Sequence, residues 1–144
     1  MKPINLIIVF VLMITSLKAQ KESDIIGKWE SDAKDFRLEF FQTGSEYQAK
    51  TLWGNKIVEA DGKTSKKDTK NPNEKLRTRN IIGIISMTEL KWDDDEYTNG
   101  KMYNPLDGDT YSGKVWIKDE KLYLRAYLGV SLLGKTISFH RYNQ

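Results

Sequence analysis

The chain has 144 residues, with 23 Lys and Arg against 20 Asp and Glu, a formal net charge of +3, and no cysteine. This balance excludes a nucleic-acid or other polyanion partner that is bound through bulk charge. The absence of cysteine excludes a disulfide framework and a lipid anchor on cysteine, so the fold must be stabilised by its core alone.

Residues 1–19 have the composition of a secretory signal peptide. A lysine precedes an apolar run over 4–17, and the small residue Ala19 stands at a suitable cleavage position. This run is shorter than the roughly 20 residues that span a bilayer. Because the segment contains two lysines and no acidic residue, its removal lowers the net charge to about +1. We expect an exported protein, periplasmic or secreted, in which residues 20–144 form one domain.

The remaining chain alternates short β-branched and aromatic segments with turn signals. This pattern is typical of antiparallel strands joined by hairpins, and eight sequential strands favour an all-β, up-and-down antiparallel barrel. The predicted strands are 25–31, 36–42, 46–53, 81–92, 96–103, 110–117, 121–128 and 135–142.

The long polar connection over 54–80 interrupts this spacing, and connections of this length are commonly functional or disordered. Asn71 is a suitable N-cap, Pro72 suits the first helical position, and Glu74 completes a capping box. The sequence therefore predicts one short helix over about 72–79, in the loop before the fourth strand, which leads into a strand at Ile81.

Three sequence clusters carry a resemblance to a known family. They are DTKNPNEKLRTRNIIGI (68–84), MYNPLDGDTYSGKVWI (102–117) and LYLRAYLGVSLLGKTISFHR (122–141). In this order and spacing they resemble the exported bacterial domain-of-unknown-function family 2147, and the resemblance extends from about residue 26 to 141. That family is similar to the calycin superfamily of lipocalin and fatty-acid-binding barrels. The resemblance implies a lipocalin-like barrel and brings no established activity or cofactor.

Trp29 and Arg141 fit the same resemblance. Trp29 follows Gly27 at the start of the first strand, and Arg141 ends the last strand. Lipocalin-like barrels often close one end by packing a late arginine on the tryptophan of a Gly-x-Trp entry, an interaction worth about 0.5–2 kcal/mol. We expect this pair to close the barrel structurally.

Tyr123, Arg125 and Tyr127 share one face of the seventh predicted strand, and small and medium aliphatic side chains share the other. If the aromatic face points inward, Arg125 is a buried cation that needs an anion. If the aliphatic face points inward, the three residues lie on the outer surface. On the first alternative, Arg125 and Tyr127 are the deep ligand contacts.

Arg77 and Arg79 lie on the predicted short helix, where they project to different sides. One of them can anchor the loop to carboxylates or carbonyls of the barrel. The other can face the barrel mouth and bind an anionic head group through a bidentate contact. Structural anchoring and ligand contact are both compatible with the sequence.

Few residues are suited to catalysis. His140 is the single histidine and there is no cysteine, so acyl transfer would have to be centred on His140. The acidic run over 92–96 lacks calcium-loop spacing, and no metal site is predicted. Asp107 and Asp109 are a candidate catalytic pair, although a glycine-containing turn explains them equally.

We therefore predict a lipocalin-like binding module for a small, partly apolar ligand of a lipid-like or anionic kind. It should need no cofactor and should be a monomer or weak dimer. Two alternatives remain: an envelope interaction protein whose barrel is filled by its own side chains, and an enzyme that acts on envelope material.

Overall fold

The computed structural model describes residues 19–129 and 134–144, so the predicted signal peptide lies, apart from Ala19, outside the described residues. Within them the chain forms eight strands and two short 3-10 turns, Glu22–Ile25 and Glu74–Leu76. The strands are β1 (Gly27–Ser31), β2 (Phe36–Thr43), β3 (Glu46–Gly54), β4 (Ile85–Asp93), β5 (Glu96–Asn104), β6 (Asp109–Lys118), β7 (Lys121–Tyr127) and β8 (Lys135–Arg141).

Each strand pairs antiparallel with the next, and β8 pairs with β1, so the sheet closes into a barrel. In this closing pair Trp29 lies opposite Arg141, and Ser31 lies opposite Phe139. The predicted eight-stranded up-and-down barrel is thus confirmed. Closure leaves no strand edge free to pair with another chain.

One end of the barrel is filled by large side chains, and we call it the closed end. The side chains here alternate inward along their strands and are almost fully buried. This inner layer consists of Trp29, Phe40, Tyr47, Leu90, Tyr97, Val115, Leu122 and Phe139. Its tight packing makes the closed end the main hydrophobic core.

The inward face of β7 is the aliphatic one. Leu122 and Leu124 are buried in the core, whereas Tyr123 and Arg125 are only partly buried and lie on the opposite face of the strand. The alternative in which Arg125 points into the barrel is therefore wrong. Leucine side chains fill the core without a charge that would need an internal partner.

The connection between β3 and β4 differs from its prediction in two respects. The predicted helix over 72–79 is only the 3-10 turn Glu74–Leu76, and its N-cap is Asn73. Asn71 instead accepts a hydrogen bond from the Asn73 backbone N–H, a local turn that competes with helix formation.

The fourth strand begins at Ile85, later than the predicted Ile81. Ile81 and Ile84 pack with Ile57 in a second, smaller apolar cluster beneath the loop. Ile81 and Ile84 are apolar because they belong to this cluster, and not because the strand begins earlier. The sequence pattern alone cannot distinguish a buried loop cluster from a strand, because both bury β-branched residues.

Candidate functional site

The barrel has a cavity of about 390 Å³ at the end opposite the closed end, which we call the open end. Inward-facing side chains of β2, β3, β4, β5, β7 and β8 form its walls, and strand ends together with the connections between strands form its rim. The wall residues are Phe36, Leu38, Thr51, Ser86, Met87, Met102, Leu124, Ala126 and Ile137, and the rim residues include Asp35, Asn55, Lys56, Asn104, Leu106, Tyr111 and Lys135. The barrel is therefore filled at one end and hollow at the other.

The walls are mainly aliphatic and thioether side chains, which favour an apolar ligand. Met87 and Met102 lie opposite each other on β4 and β5, and their flexible side chains can adapt to the shape of a ligand. One polar pair interrupts the apolar wall: the Thr51 hydroxyl donates to the Ser86 Oγ over 2.9 Å.

Among the described residues, the rim carries two lysines and one carboxylate. Lys56 and Lys135 are exposed and make no side-chain ion pair or hydrogen bond within the described part of the chain. Asp35 accepts a hydrogen bond of 2.7 Å from the Ser31 hydroxyl, which holds the carboxylate at its turn. The lysines therefore remain available to an anionic group at the mouth of the cavity.

Trp29 and Arg141 meet at the closed end. The Arg141 guanidinium lies 4.0 Å from the centroid of the Trp29 ring and donates to the backbone oxygens of Ile26 and Asp24. The Trp29 indole donates to the Ile25 oxygen over 2.8 Å. Burial lowers the pKa of Arg141 from its ordinary value. The pair holds the N-terminal 3-10 turn across the base of the barrel.

Tyr97 holds the same turn from inside. Its hydroxyl donates to the Glu22 oxygen over 2.6 Å, and its ring packs edge-on against Tyr47 and Trp92. Burial raises the pKa of the Tyr97 hydroxyl, so that it stays a neutral donor.

Arg79 anchors the long loop through the buried carboxylate of Asp68. Both Nε and Nη2 of Arg79 lie 2.9 Å from the same Asp68 oxygen, while Tyr103 donates to the other oxygen over 2.6 Å. Burial, together with the bond to Asp68, raises the pKa of Tyr103 to about 12. Because Tyr103 lies on β5 at the rim, this network fastens the loop to the barrel beside the cavity.

The Arg77 side chain binds partners within the long loop. Its Nε donates to the Asn71 oxygen over 2.8 Å, and its Nη1 lies 3.5 Å from Glu74. Neither Arg77 nor Arg79 belongs to the cavity lining. Both arginines therefore make structural anchoring contacts, which is one of the two alternatives that the sequence left open.

The loop also docks on the turn between β5 and β6. Gly108 has a φ of +83°, and a Cβ at this position would lie 2.2 Å from the Lys70 oxygen. Only glycine allows the loop to approach so closely. This contact fixes a second side of the cavity rim.

Tyr123, Arg125 and Tyr127 lie outside the cavity. Arg125 donates to the Thr136 hydroxyl on the neighbouring strand over 2.8 Å, and Tyr123 stacks on Trp116 at 5.5 Å. The hypothesis that Arg125 and Tyr127 are deep ligand contacts required the opposite orientation of β7, so we do not retain it.

The residues considered for catalysis have local partners. Asp107 accepts bonds from the Tyr111 hydroxyl, the Asn104 amide and the Asp109 backbone N–H, which is ordinary turn chemistry. No group of three or more metal-ligating side chains able to hold an ion occurs in residues 19–129 and 134–144. Asp93 pairs with Glu96 at the end of β4 and β5, so the acidic run lies on a tight hairpin turn.

His140 lies on the outer surface, beside the pairing of β1 and β8. Its Nδ1 lies 3.0 Å from Asp32 Oδ1, and its Nε2 lies 3.4 Å from Glu30 Oε1. Asp32 also accepts bonds from Lys121 and Ser138. This polar cluster joins β1, β7 and β8 where the barrel closes.

Asp32 should make barrel stability sensitive to acid. Hydrogen bonds from Lys121, Ser138 and His140 hold the pKa of Asp32 well below its ordinary value of 3.8. Ionised Asp32 therefore stabilises the fold above that value, and this stabilisation disappears as pH falls toward the lowered pKa of the folded state. We expect the stability difference between wild type and Asp32→Asn to shrink as the pH falls below about 4. Urea unfolding at each pH measures it, and a difference independent of pH would contradict this role.

The cavity residues were not predicted individually from the sequence. Thr51 alternates with Tyr47 and Ala49 along one face of β3, so a hydroxyl on a core face was a usable signal. Ala126 was a second signal, because a small residue ends the inward face of β7 where the barrel must leave space. Lys56 and Lys135 carried no such signal, since exposed lysines are common in loops and at strand ends.

A closed eight-stranded barrel with one plugged end and one apolar cavity defines a lipocalin-like protein. The structure is similar to that of protein HP1028 from the human pathogen Helicobacter pylori, which is described as belonging to the lipocalin family. The sequences are 28% identical, the similarity covers 83% of each chain, and the TM-score is 0.71.

The family model described as "Uncharacterized protein conserved in bacteria (DUF2147)" matches residues 27–141, and the chain belongs to this family. No curated protein sequence matches the chain. Within the described residues, no helix has the length and apolar character required to cross a membrane.

Proposed function

We propose that this protein binds a small, mainly apolar ligand with an acidic group, in the cavity at the open end of the barrel. The observation that carries the proposal is the cavity of about 390 Å³ enclosed by aliphatic and methionine side chains. At about 30 Å³ for each water-sized group, this volume accommodates about a dozen non-hydrogen atoms. A medium-chain fatty acid has this size, whereas a long-chain lipid would extend into solvent.

The acidic group is inferred from the rim. Lys56 and Lys135 are the rim residues that can receive a carboxylate or similar anion, and Asp35 is engaged by Ser31. A neutral ligand would fill the apolar cavity equally well, so the lysines add a preference for acids over the corresponding alcohols.

Substitution Ala126→Trp is expected to abolish ligand binding, because the indole would occupy the cavity from the wall of β7. Isothermal titration calorimetry with decanoic acid, and with 1-decanol for comparison, measures this effect. Wild type should bind the acid more tightly than the alcohol, and Ala126→Trp should weaken both by at least about tenfold, which is about 1.4 kcal/mol.

Arg125→Ala is the matched control, since the neighbouring side chain lies on the outer face of the same strand. It should bind decanoic acid like wild type. Loss of binding in this variant, with full binding in Ala126→Trp, would place the ligand on the outer surface and overturn the proposal. Circular dichroism of both variants verifies that each folds.

The two alternative functions receive less support. A filled barrel, expected of a purely structural interaction protein, describes only the closed end. An envelope-acting enzyme would need reactive groups at the cavity, and the wall there supplies hydroxyls, thioethers and hydrocarbon. A binding role uses these residues directly.

We further propose that the protein is exported after cleavage near Ala19. The composition of residues 1–19 supports this, and all eight strands of the barrel lie after the cleavage position. Cleavage there removes no part of the barrel. N-terminal sequencing of the protein recovered from its native host tests it, and an intact Met1 would contradict it.

A further inference from the structure

Thr51 and Ser86 place two hydroxyl groups in an otherwise apolar wall. Both residues are almost completely buried, with 1% and 5% of their surface exposed, and both line the cavity. Buried hydroxyl groups are normally hydrogen-bonded, because an unpaired donor loses its bond to water without replacement. Their partners therefore indicate what the cavity is built to contain.

The bond between the two hydroxyl groups leaves one hydroxyl hydrogen without a partner among the described residues. Each hydroxyl has one hydrogen to donate, and the bond from Thr51 to Ser86 uses one of the two. Neither hydroxyl makes another hydrogen bond within the described residues, and neither has a further polar contact elsewhere. One O–H is thus free to donate, in a wall that faces the cavity.

We propose that this O–H binds an oxygen atom in the apolar body of the ligand, so that the protein selects hydroxy or keto medium-chain acids over plain fatty acids. This inference rests on the proposed function, because it concerns the same cavity. The acidic end of the ligand lies at Lys56 and Lys135, and the additional oxygen reaches the hydroxyl pair further along the wall.

The nature of the pair argues for a neutral oxygen. A carboxylate that left water for two uncharged hydroxyls would lose most of its hydration without gaining an opposite charge. A ketone oxygen is desolvated at lower cost and is satisfied by one donor, and a ligand hydroxyl can in addition donate its hydrogen to a lone pair of the Thr51 and Ser86 hydroxyls. The charged end of the ligand therefore belongs at the lysine rim, and a neutral acceptor belongs at the wall.

Calorimetric titration with matched ligands tests the proposal. The ligands are decanoic acid and a set of hydroxydecanoic and oxodecanoic acids, with the oxygen at successive positions along the chain. With wild type, the acid whose oxygen reaches the pair should bind about three- to tenfold more tightly than decanoic acid. Acids with the oxygen at the other positions should bind more weakly than decanoic acid, since they place a polar atom against hydrocarbon.

The double substitution Thr51→Val and Ser86→Ala removes both hydroxyls while nearly preserving their shape, so the barrel should still fold. In this variant the best oxygenated acid should lose its advantage, and decanoic acid should bind at least as well as to wild type. Thr51→Ser is the conservative control and should retain the preference.

Three outcomes would overturn the inference. Equal binding of all the acids by wild type would mean that water satisfies the free hydroxyl. A preference that persists in the double variant would place the oxygen elsewhere. Loss of decanoic acid binding in the double variant would mean that the carboxylate itself lies at the pair. Failure of the proposed function gives a different result, in which no acid binds wild type.

Discussion

Replacement of Trp29 by Ala is expected to lower the free energy of unfolding by about 3–5 kcal/mol. The Trp29 side chain is 1% exposed at the centre of the closed end, and its removal leaves a large void in the best-packed part of the core. The substitution also removes the surface on which Arg141 packs and the indole donor to Ile25.

Urea unfolding followed by tyrosine and tryptophan fluorescence measures the loss. Trp116→Ala is the matched control, because Trp116 lies on the outer face of β6 against Tyr123 and is only partly buried. Trp116→Ala should lower the free energy of unfolding by no more than about 1.5 kcal/mol, since it removes a surface aromatic contact and leaves no enclosed void. Equal costs in the two variants would show that the closed end is not the main source of stability.

Substitution Asp68→Asn is expected to lower the free energy of unfolding by about 3 kcal/mol, although the two side chains have nearly the same shape. Asp68 has 0% exposure and receives hydrogen bonds from Arg79, Tyr103 and the Asn71 amide. Without the carboxylate charge, Arg79 loses its ion-pair partner. Breaking a buried pair costs about 3–5 kcal/mol, and the lower end applies because Arg79 is partly exposed to water.

The same substitution at Asp61 provides the control within the same loop. Asp61 is exposed and accepts bonds from the backbone N–H groups of Lys63 and Thr64 and from the Thr64 hydroxyl. An asparagine oxygen can accept the two backbone bonds, and its amide can donate to the same hydroxyl. Asp61→Asn should change the free energy of unfolding by no more than about 0.5 kcal/mol. If Asp68→Asn proved equally mild, the loop would have to be held mainly by the apolar cluster around Ile81.

The barrel could be predicted because each strand carries its own local signal. In β7, for example, leucines alternate with polar and aromatic residues, and a short turn precedes the strand. The orientation of that strand could not be predicted with the same ease. Both faces contain residues that can form a barrel interior, and the choice depends on the opposing strands, where Val115 and Ile137 lie opposite Leu124.

The predicted short helix is a single 3-10 turn, Glu74–Leu76, because capping residues act through more than one geometry. Asn71 and Asn73 each bond to a backbone N–H two residues later, which gives successive turns in place of a helix. The anchoring of the loop depends on Asp68 and Tyr103, which are far apart in sequence, so no local pattern reveals their contact. The cavity, too, arises from side chains on seven strands and has no local sequence signature.

The closed end brings the two ends of the described chain together. The Tyr142 backbone N–H donates to the Lys28 oxygen over 3.0 Å, and Arg141 contacts the turn that begins at Glu22. A tag, a tether or a fused domain joined directly at either end of the described chain would therefore be attached beneath the barrel. The cavity would lie at the end of the barrel away from the attachment point, so the immobilised protein could be used directly to capture ligands from extracts.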